Sequence, residues 1–337
     1  MNKVSAIIVN WNGKDVLVDC IKSLLEQDYP ELEIIVSDNG STDGSNEYVR
    51  KHFPTVRLLE NGSNLGFGGA VNRGLSAARG DYLIFLNNDL YLRQDSISEL
   101  AGLLDLDRRY GAAVPKILYY EKRDTVNSFG VQVNYTGIAC PNLVDCRDTD
   151  SLALHETACG GIFMFRREIF ETTGGFDQDL FLYHEDHDLS WQIRLLGEKI
   201  MVTPKAVIYH HYHFNKGTGK YHSSEKNRLH ILLKNMETKT LFLIFPALVL
   251  VECAQLAHSL MNGWFVLKIK SYFELLALLP RILNKRRQVQ RRRRVTDREI
   301  VRLYQGTLSV SGVKNPLLDN VLSPILNTYW NLIRSWV

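Results

Sequence analysis

The apolar segment at residues 83–86 ends abruptly in three polar side chains, Asn87, Asn88 and Asp89. A continuous apolar run of this length is typical of a buried parallel strand. Ligands of open α/β sheets bind at the carboxyl ends of such strands. The sequence therefore predicts that Asp89, whose carboxylate could hold a divalent cation, lies in a ligand-binding site.

Two other apolar segments end in the same way. Residues 4–9 are followed by Asn10 and Asn12, and residues 33–37 are followed by Asp38. Such clusters are too polar and too rich in turn-forming residues to continue a strand. Three predicted strands thus end in polar loops.

A second group of candidate residues lies further along the chain. Gly160 and Gly161 are adjacent, and glycines allow the backbone to approach a ligand closely. Glu185 and Asp186 begin a helical pattern that continues over residues 189–197. Carboxylates at a helix start also complement the helix dipole, so a purely structural role is the alternative.

The segments between these sites alternate between helical and strand-like patterns. Helices are predicted at residues 15–25, 46–51 and 69–78, and strands at 56–59 and from residue 82. This alternation implies a mostly parallel sheet with right-handed crossovers. Further on, residues 112–118 predict a strand, whereas residues 124–150 predict an irregular loop on the acceptor side of the site.

Taken in order, five segments resemble the motifs of family 2 glycosyltransferases, which have the GT-A fold: residues 8–12, 37–44, 64–68, 72–74 and 85–89. Within that family the chain most resembles the bacterial rhamnosyltransferase-like branch. The resemblance covers roughly residues 3–225. It implies an α/β GT-A domain with a mixed, mostly parallel sheet flanked by helices.

The resemblance also implies a catalytic role for the Glu-Asp pair. In inverting members of the family the Asp of this pair is the general base. Asp186 would therefore take the proton of the acceptor hydroxyl, and Glu185 would orient the acceptor or the base.

A divalent cation, Mg²⁺ or Mn²⁺, is implied on the diphosphate of the donor. Only Asp89 remains of the usual Asp-x-Asp motif, so another ligand is needed, and His210 matches the position of a metal-binding histidine in the family. The local spacing leaves His211 and His213 open as alternatives.

The remaining candidates are implied to bind the nucleotide-sugar donor. Asp38 would accept the imide N–H of a pyrimidine base, and Asn88 could bond the ribose. The other implied donor-binding residues are Asn10, Asn12, Arg73, Gly160 and Gly161. For the Asx residues the alternative is ordinary turn chemistry, and for Arg73 it is a helix start without a ligand.

Length and composition agree with a cytoplasmic enzyme. The 337 residues suggest about two domains, and 45% hydrophobic residues can form a sizeable core. The five cysteines are odd in number and form no Cys-x-x-Cys pair, and no signal-peptide pattern precedes the first predicted strand. We therefore expect a reducing, cytoplasmic setting.

Charge divides the chain near residue 225. Residues 1–225 carry 22 Lys/Arg and 31 Asp/Glu, whereas residues 226–337 carry 18 and 6. We expect a catalytic domain at 1–225 and a helical, membrane-interfacial region at 226–337 that binds the inner face of the cell membrane.

The apolar run that begins after Lys239 is only about 12 residues long and contains Pro246, so lying on an anionic membrane is expected rather than crossing it. Trp264 and the run at 291–294 would contact lipid. A packed helical subdomain is the alternative; no recognisable nucleic-acid module accompanies the basic run.

These observations predict an inverting glycosyltransferase that moves a sugar from a dTDP- or UDP-sugar to a saccharide or lipid-linked saccharide. By resemblance, dTDP-L-rhamnose is the expected donor. Two alternatives from other classes remain: a nucleotidyltransferase, and a non-catalytic sugar-binding or scaffold protein of the same fold.

Overall fold

A mixed, mostly parallel sheet forms the centre of the protein in the computed structural model, which describes residues 1–212, 219–308 and 316–337. The strands in these ranges are β1 (Val4–Asn10), β2 (Leu32–Asp38), β3 (Arg57–Glu60), β4 (Tyr82–Asn87), β5 (Leu90–Leu92), β6 (Tyr110–Tyr119), β7 (Val126–Ser128), β8 (Val131–Asn134), β9 (Ala139–Pro141), β10 (His155–Glu156), β11 (Met164–Arg166), β12 (Lys199–His210) and β13 (Tyr304–Gln305).

Helices flank the sheet and make up most of the second half of the chain. They are α1 (Lys14–Leu25), α2 (Ser45–His52), α3 (Gly66–Ala77), α4 (Ser96–Leu106), α5 (Arg167–Thr173), α6 (Glu185–Leu195), α7 (Gly219–Asn235), α8 (Thr238–Met261), α9 (Phe265–Arg292), α10 (Asp297–Val301) and α11 (Ser323–Ile333). A short 3₁₀ turn at Gln178–Leu180 and a π-helical turn at Leu318–Leu322 complete the described elements.

The order of strands in the sheet is β10-β12-β6-β11-β4-β1-β2-β3, with β5 beside β12 and β7 beside β6. The pairs β1–β2, β1–β4, β2–β3 and β6–β12 are parallel, whereas β11 runs antiparallel to both of its neighbours. The predicted mixed, mostly parallel sheet with flanking helices is thus confirmed. Asn10 pairs with Asp38, and Val9 pairs with Asn87, so three predicted site loops begin at one edge.

Apolar layers on both faces of the sheet explain why the central strands read as continuous apolar runs. All seven residues of β1 are buried. Helix α1 covers one face with Leu17, Ile21 and Leu24, which recur at helical spacing. On the other face, Val71 and Leu75 of α3 join a second cluster.

Residues 124–150 are not the irregular loop that the sequence predicted. They contain β7, β8 and β9, and β8 pairs with β9 on one side and with β13 on the other. These strands are only three or four residues long. The prediction failed because such short strands show too little alternation, and because β13 lies far away in the sequence.

Beyond β12 the chain is mostly helical; α7 and α10 pack on α6, and α9 packs on α7. Helix α8 runs through Pro246 for 24 residues, so it extends on both sides beyond the apolar run of about 12 residues that the sequence shows. Within the described residues it is the one helix that is long and apolar enough to cross a membrane. Trp264 is not available to lipid, because it is 3% exposed and stacks on Tyr221.

The arginine run at residues 291–294 is only partly free for a membrane. Arg292 donates hydrogen bonds to the carbonyl oxygens of Thr172 and Thr173. Arg293 forms an ion pair with Asp297. The expected four-residue basic cluster is therefore reduced to its two exposed members, Arg291 and Arg294.

A buried ionic network joins α7 to the helix that carries the Glu-Asp pair. Lys234 Nζ lies 2.7 Å from Asp177 Oδ2 and 2.7 Å from Asp188 Oδ2. Asn235 donates a further hydrogen bond to Asp188. The predicted domain boundary at residue 225 lies inside α7, and the region beyond it packs against α6.

Candidate active site

The carboxylate of Asp38 is the centre of a hydrogen-bond network at the end of β2. Its Oδ1 accepts from the backbone N–H groups of Gly40 and Ser41 and from Asn46 Nδ2. Its Oδ2 accepts from Asn10 Nδ2 and from Ser41 Oγ. Burial raises the pKa of Asp38, but the hydrogen bonds, led by that of Ser41, lower it below the ordinary value.

This network bears on the predicted contact between Asp38 and a nucleobase. A carboxylate offers about four lone-pair sites, and Asp38 is fully buried with protein donors on both oxygens. A pyrimidine imide would have to replace one of these donors. The role of Asp38 in donor binding therefore stays a prediction, and its function in the free protein is to shape the loop.

Asn10 and Asn12 tie the first two loops together. Asn10 Oδ1 accepts a hydrogen bond of 2.8 Å from Asn88 Nδ2. Asn12 Oδ1 accepts from the backbone N–H of Thr42, and the N–H of Asn12 donates to Ser41 Oγ. Asn12 also has a left-handed backbone with φ of 51°. These bonds join the loop after β1 to the loops after β2 and β4, so they differ from the turns within one loop that were the alternative to ligand binding.

Asp89 and His210 face each other across the strand ends. Asp89 Oδ2 lies 3.4 Å from His210 Nε2. The pairing of β5 with β12 creates this proximity, because His210 is opposite Leu90 in the register. Asn127 Oδ1 lies 3.1 Å from His210 Nδ1 and so holds the other side of the imidazole ring.

The neighbouring histidines differ in their surroundings. His211 stacks on Tyr120, and its Nδ1 lies 3.2 Å from Glu121. His213 lies outside the described residues. Of the two histidines that can be compared, His210 is the one directed at Asp89.

The pair of Asp89 and His210 fits an incomplete cation site. Asp89 Oδ1 is buried and has no hydrogen-bond partner among the described residues. Carboxylate oxygen and imidazole nitrogen are suitable ligands for Mn²⁺ and, less so, for Mg²⁺. The described ranges contain no group of three or more His, Cys, Asp or Glu side chains placed to hold a metal. A cation would therefore need additional ligands from the substrate or from water.

Glu185 and Asp186 occupy the first turn of α6. Asp186 Oδ1 accepts a hydrogen bond from the N–H of His187. The two carboxylates are not equivalent, because Asp186 lines a cavity whereas Glu185 is buried and its Oε2 has no partner in the described part of the chain.

Both carboxylates have raised pKa values. Burial raises the pKa of Asp186, and the N–H of His187 offsets part of this effect. Burial also raises the pKa of Glu185, and the nearby charge of Asp186 raises it further. A carboxylate with a raised pKa is a stronger base than an ordinary aspartate, which suits proton removal from a hydroxyl group.

A cavity of about 530 Å³ brings the two halves of the site together. Asp186 and Gly161 line one wall, and His210 and Asn127 line another. A Cβ atom added at Gly161 would lie 3.6 Å from Asp186 Oδ2, so the glycine keeps the space beside the base open.

Two predicted donor-binding residues lie away from these contacts. A Cβ atom at Gly160 would approach Val114 to 2.7 Å, which shows that this glycine is required by packing against the sheet. Arg73 is exposed on α3, and within the described residues its guanidinium has no hydrogen bond or ion pair. Their contacts with a donor stay predictions.

Several cavity residues were missed by the sequence analysis. They are aromatic or polar side chains at scattered positions: Asn127, Tyr119, Tyr183, His184 and Tyr212. Burial, followed by the charge of Arg228, lowers the pKa of His184 to about 3, so this imidazole is neutral. No periodicity marks such residues, because the strands and loops that carry them meet only in the folded protein.

Comparison with known proteins gives a family match. The family described as "Glycosyl transferase family 2" matches residues 5–174, which are 170 of the 337 residues. The chain is 29% identical over 204 residues to an N-acetylglucosaminyl-diphospho-decaprenol L-rhamnosyltransferase of Mycobacterium tuberculosis. This alignment covers 53% of the chain and 66% of the relative.

Two further similarities support the same fold. The chain is 28% identical over 155 residues to a UDP-Glc:alpha-D-GlcNAc-diphosphoundecaprenol beta-1,3-glucosyltransferase of Escherichia coli, covering 43% of the chain and 61% of the relative. It therefore spans less than two thirds of either relative. The solved structure of GalNAc-T7 with UDP, GalNAc and Mn²⁺ matches with a TM-score of 0.60 at 19% identity, covering 73% of this chain and 50% of that one.

Proposed function

The chain belongs to glycosyl transferase family 2, and we propose that it is an inverting enzyme of cell-surface polysaccharide synthesis. Its donor is dTDP-L-rhamnose, and its acceptor is a saccharide carried on a polyprenyl diphosphate. The names of two relatives support this acceptor, because both describe transfer to N-acetylglucosamine linked through a diphosphate to a polyprenol. One of them also supports rhamnose as the sugar.

The observation that carries the proposal is the shared cavity. Asp186, the candidate base, and His210, the partner of Asp89, line the same cavity of about 530 Å³. Transfer of a sugar requires the base and the leaving diphosphate to lie on either side of the same anomeric carbon. The base and the residues that hold the diphosphate must therefore border one cavity. A non-catalytic sugar-binding protein would not need a carboxylate with a raised pKa on the wall of that cavity.

In the proposed reaction the acceptor hydroxyl attacks the anomeric carbon from the side of Asp186. A bond forms between the acceptor oxygen and the anomeric carbon, and the bond from this carbon to the diphosphate oxygen breaks. The hydroxyl proton moves to Asp186, and the electron pair leaves with dTDP. Single displacement inverts the configuration at the anomeric carbon.

Asp89 and His210 would hold a divalent cation, Mg²⁺ or Mn²⁺, and a bound cation supplies charge stabilisation for the leaving diphosphate. The partnerless Asp89 Oδ1 supports this assignment. Asn127 fixes the His210 ring from the opposite side, as expected for a partner that orients a ligand.

The proposed location is the cytoplasmic face of the cell membrane, where the protein is attached peripherally. Phe242 and Phe245 of α8 are 77% and 61% exposed, while Glu252 of the same helix pairs with the buried Lys268 of α9. One side of α8 therefore packs on protein, and the other presents apolar groups. The exposed apolar side supports contact of α8 with lipid, and the ionic contact of Glu252 on its other side supports attachment along the interface.

A donor and acceptor screen tests the proposal. The purified chain is incubated with Mn²⁺ or Mg²⁺, a panel of dTDP- and UDP-sugars, and a short-chain analogue of N-acetylglucosaminyl-diphosphopolyprenol. We expect release of dTDP from dTDP-L-rhamnose and a disaccharide product of inverted anomeric configuration. Asp186→Asn serves as the inactive control.

Other products would contradict the proposal in distinct ways. Release of inorganic diphosphate with formation of a nucleotide-sugar from a sugar phosphate would identify a nucleotidyltransferase. Thermal stabilisation by a saccharide, with no turnover of any nucleotide sugar, would identify a binding or scaffold protein. Transfer from a UDP-sugar alone would keep the family reaction and refute rhamnose as the donor sugar.

A further inference from the structure

The loop that leads into α6 has an unfavourable backbone conformation. Phe181, Tyr183 and His184 have φ angles of 58°, 72° and 67°, in the left-handed region that residues with a side chain rarely adopt. Such conformations persist only where the surrounding structure holds them. Asp186 lies two residues after His184. The contacts that hold this loop therefore also determine where the Asp186 carboxylate lies.

Asn227 of α7 makes the contacts that hold the loop. Its Nδ2 donates to the carbonyl oxygens of Leu180, Leu182 and Tyr183 at 2.7, 2.9 and 2.8 Å. Asn227 is fully buried. The two N–H groups of this amide thus reach three carbonyl oxygens of one strained loop, so one N–H is shared between two of them.

Neighbouring contacts fix the same loop from other directions. Ser224, one turn before Asn227, has its Oγ 3.2 Å from His184 Nε2. On the opposite side, the backbone N–H of Phe67 donates to the carbonyl oxygen of Phe181 at 2.8 Å. The loop is therefore clamped between α7 and the start of α3.

Helix α7 also holds α6 beyond the catalytic turn. Lys234 and Asn235 bind the two carboxylate oxygens of Asp188, two residues after Asp186. The position of Asp186 is thus bracketed by contacts from α7 on both sides. Asn227 is the member of this set that bonds the backbone rather than a side chain.

From this geometry we infer that Asn227 is a positioning residue, which holds Asp186 in its place at the wall of the cavity. The inference rests on the proposed role of Asp186 as the base. Asn227 does not line the cavity and so does not contact the substrate. It lies outside residues 5–174, the part matched by the family.

Replacement of Asn227 by Ala tests the inference. Without the amide, the loop relaxes, and Asp186 shifts and becomes more exposed to water. We expect kcat to fall by about 10- to 100-fold, since small displacements of a catalytic group have effects of this size. The acidic limb of the profile of kcat against pH should move to lower pH, because greater hydration weakens the effect of burial, which raises the pKa of Asp186. Binding of the dTDP-sugar should change by less than about twofold, since the donor contacts are untouched.

The chain offers a matched control in Asn134. Its Nδ2 also donates to three carbonyl oxygens, those of Gln305, Gly306 and Thr307, and the residue is 4% exposed. Asn134→Ala removes the same kind of contact from a different place. This control should lower the melting temperature but leave the acidic limb and kcat near those of the wild type.

The outcomes separate this inference from the proposed function. If Asp186→Asn retains full turnover, the proposed base is wrong. If Asp186→Asn is inactive but folded Asn227→Ala keeps the wild-type kcat and acidic limb, the positioning role alone is refuted. Equal shifts in Asn134→Ala would also refute it, because general loosening would then explain them. If Asn227→Ala fails to fold, Asn227→Ser keeps one donor and must show a partial shift; an unshifted limb in this variant overturns the inference.

Discussion

Replacing Lys234 by Met should destabilise the whole protein strongly. Lys234 Nζ is 2.7 Å from carboxylate oxygens of both Asp177 and Asp188, and all three side chains are at most 3% exposed. Burial alone would lower the pKa of Lys234, but Asp188 and Asp177 raise it above the ordinary value. The lysine is therefore charged, and it neutralises carboxylates that have no access to water.

The magnitude follows from what remains after the substitution. Asp177 would keep Lys285, but Asp188 would keep only the amide donors of Asn235 and Gln192. Removing one partner of a buried ion pair costs about 3–5 kcal/mol. We expect a loss of about 4 kcal/mol in the free energy of unfolding.

Urea denaturation measures this effect, with tryptophan fluorescence as the signal. Trp191 lies in α6 and Trp330 in α11, and both are buried. The fluorescence signal therefore reports the unfolding of α6 and of the last helix. Arg108→Met is the control, because its ion pair with Glu168 is exposed and should contribute about 1 kcal/mol or less.

The variant Lys234→Met/Asp188→Asn, which restores the local charge balance, should recover part of the loss. A loss below about 1 kcal/mol in Lys234→Met, or two separate unfolding transitions in the wild type, would show that the helices beyond α6 do not share one stable unit with the sheet.

Three further perturbations test the site and the surface. Asp186→Asn should lower kcat by about 100-fold or more, as expected for loss of a general base, and should raise the melting temperature, because the raised pKa means that the charged form costs stability at neutral pH. The kcat of the wild type should fall as the pH drops through the Asp186 pKa, because a protonated carboxyl group cannot accept the hydroxyl proton. Since this pKa is raised, the fall should occur at a higher pH than for an ordinary aspartate. Excess chelator should abolish transfer and added Mn²⁺ should restore it, whereas Asp89→Ala should resist this rescue; full activity in chelator would refute the cation proposal. Replacing both Phe242 and Phe245 by Ser should reduce co-sedimentation with anionic liposomes at low salt, and high salt should release the wild type only partly. Leu106→Ser, which alters an exposed apolar residue on α4, should bind as the wild type does.

The sequence predicted the central sheet well because its parallel strands are buried on both faces. The runs that became β1, β2 and β4 are continuous and apolar, and their polar ends indicated where the loops gather. The proximity of Asp89 and His210 agrees with the predicted pairing, although their binding of a metal stays a prediction. Local pattern and family motifs together were sufficient for these features.

Contacts between distant segments could not be predicted in this way. Nothing near Asn227 in the sequence indicates that it holds the loop before α6. The burial of Trp264 depends on Tyr221, which belongs to another helix. The Asx residues were ambiguous because one side chain can either bond a ligand or complete a turn. In the structure Asn10 and Asn12 instead bond Ser41 and Thr42 of the loop after β2, a contact that local sequence does not indicate.

The pairing of β13 with β8 has a consequence for how the chain folds during synthesis. Asn134 bonds Gln305, which is 171 residues later in the chain. Contacts of such long range form slowly, because a large loop must close first. Residues that line the cavity, including Asp186, will be synthesised well before β13, the strand that pairs with β8. A nascent chain that stops before β13 would therefore expose an unpaired edge of β8, and we expect it to require protection from aggregation until β13 emerges.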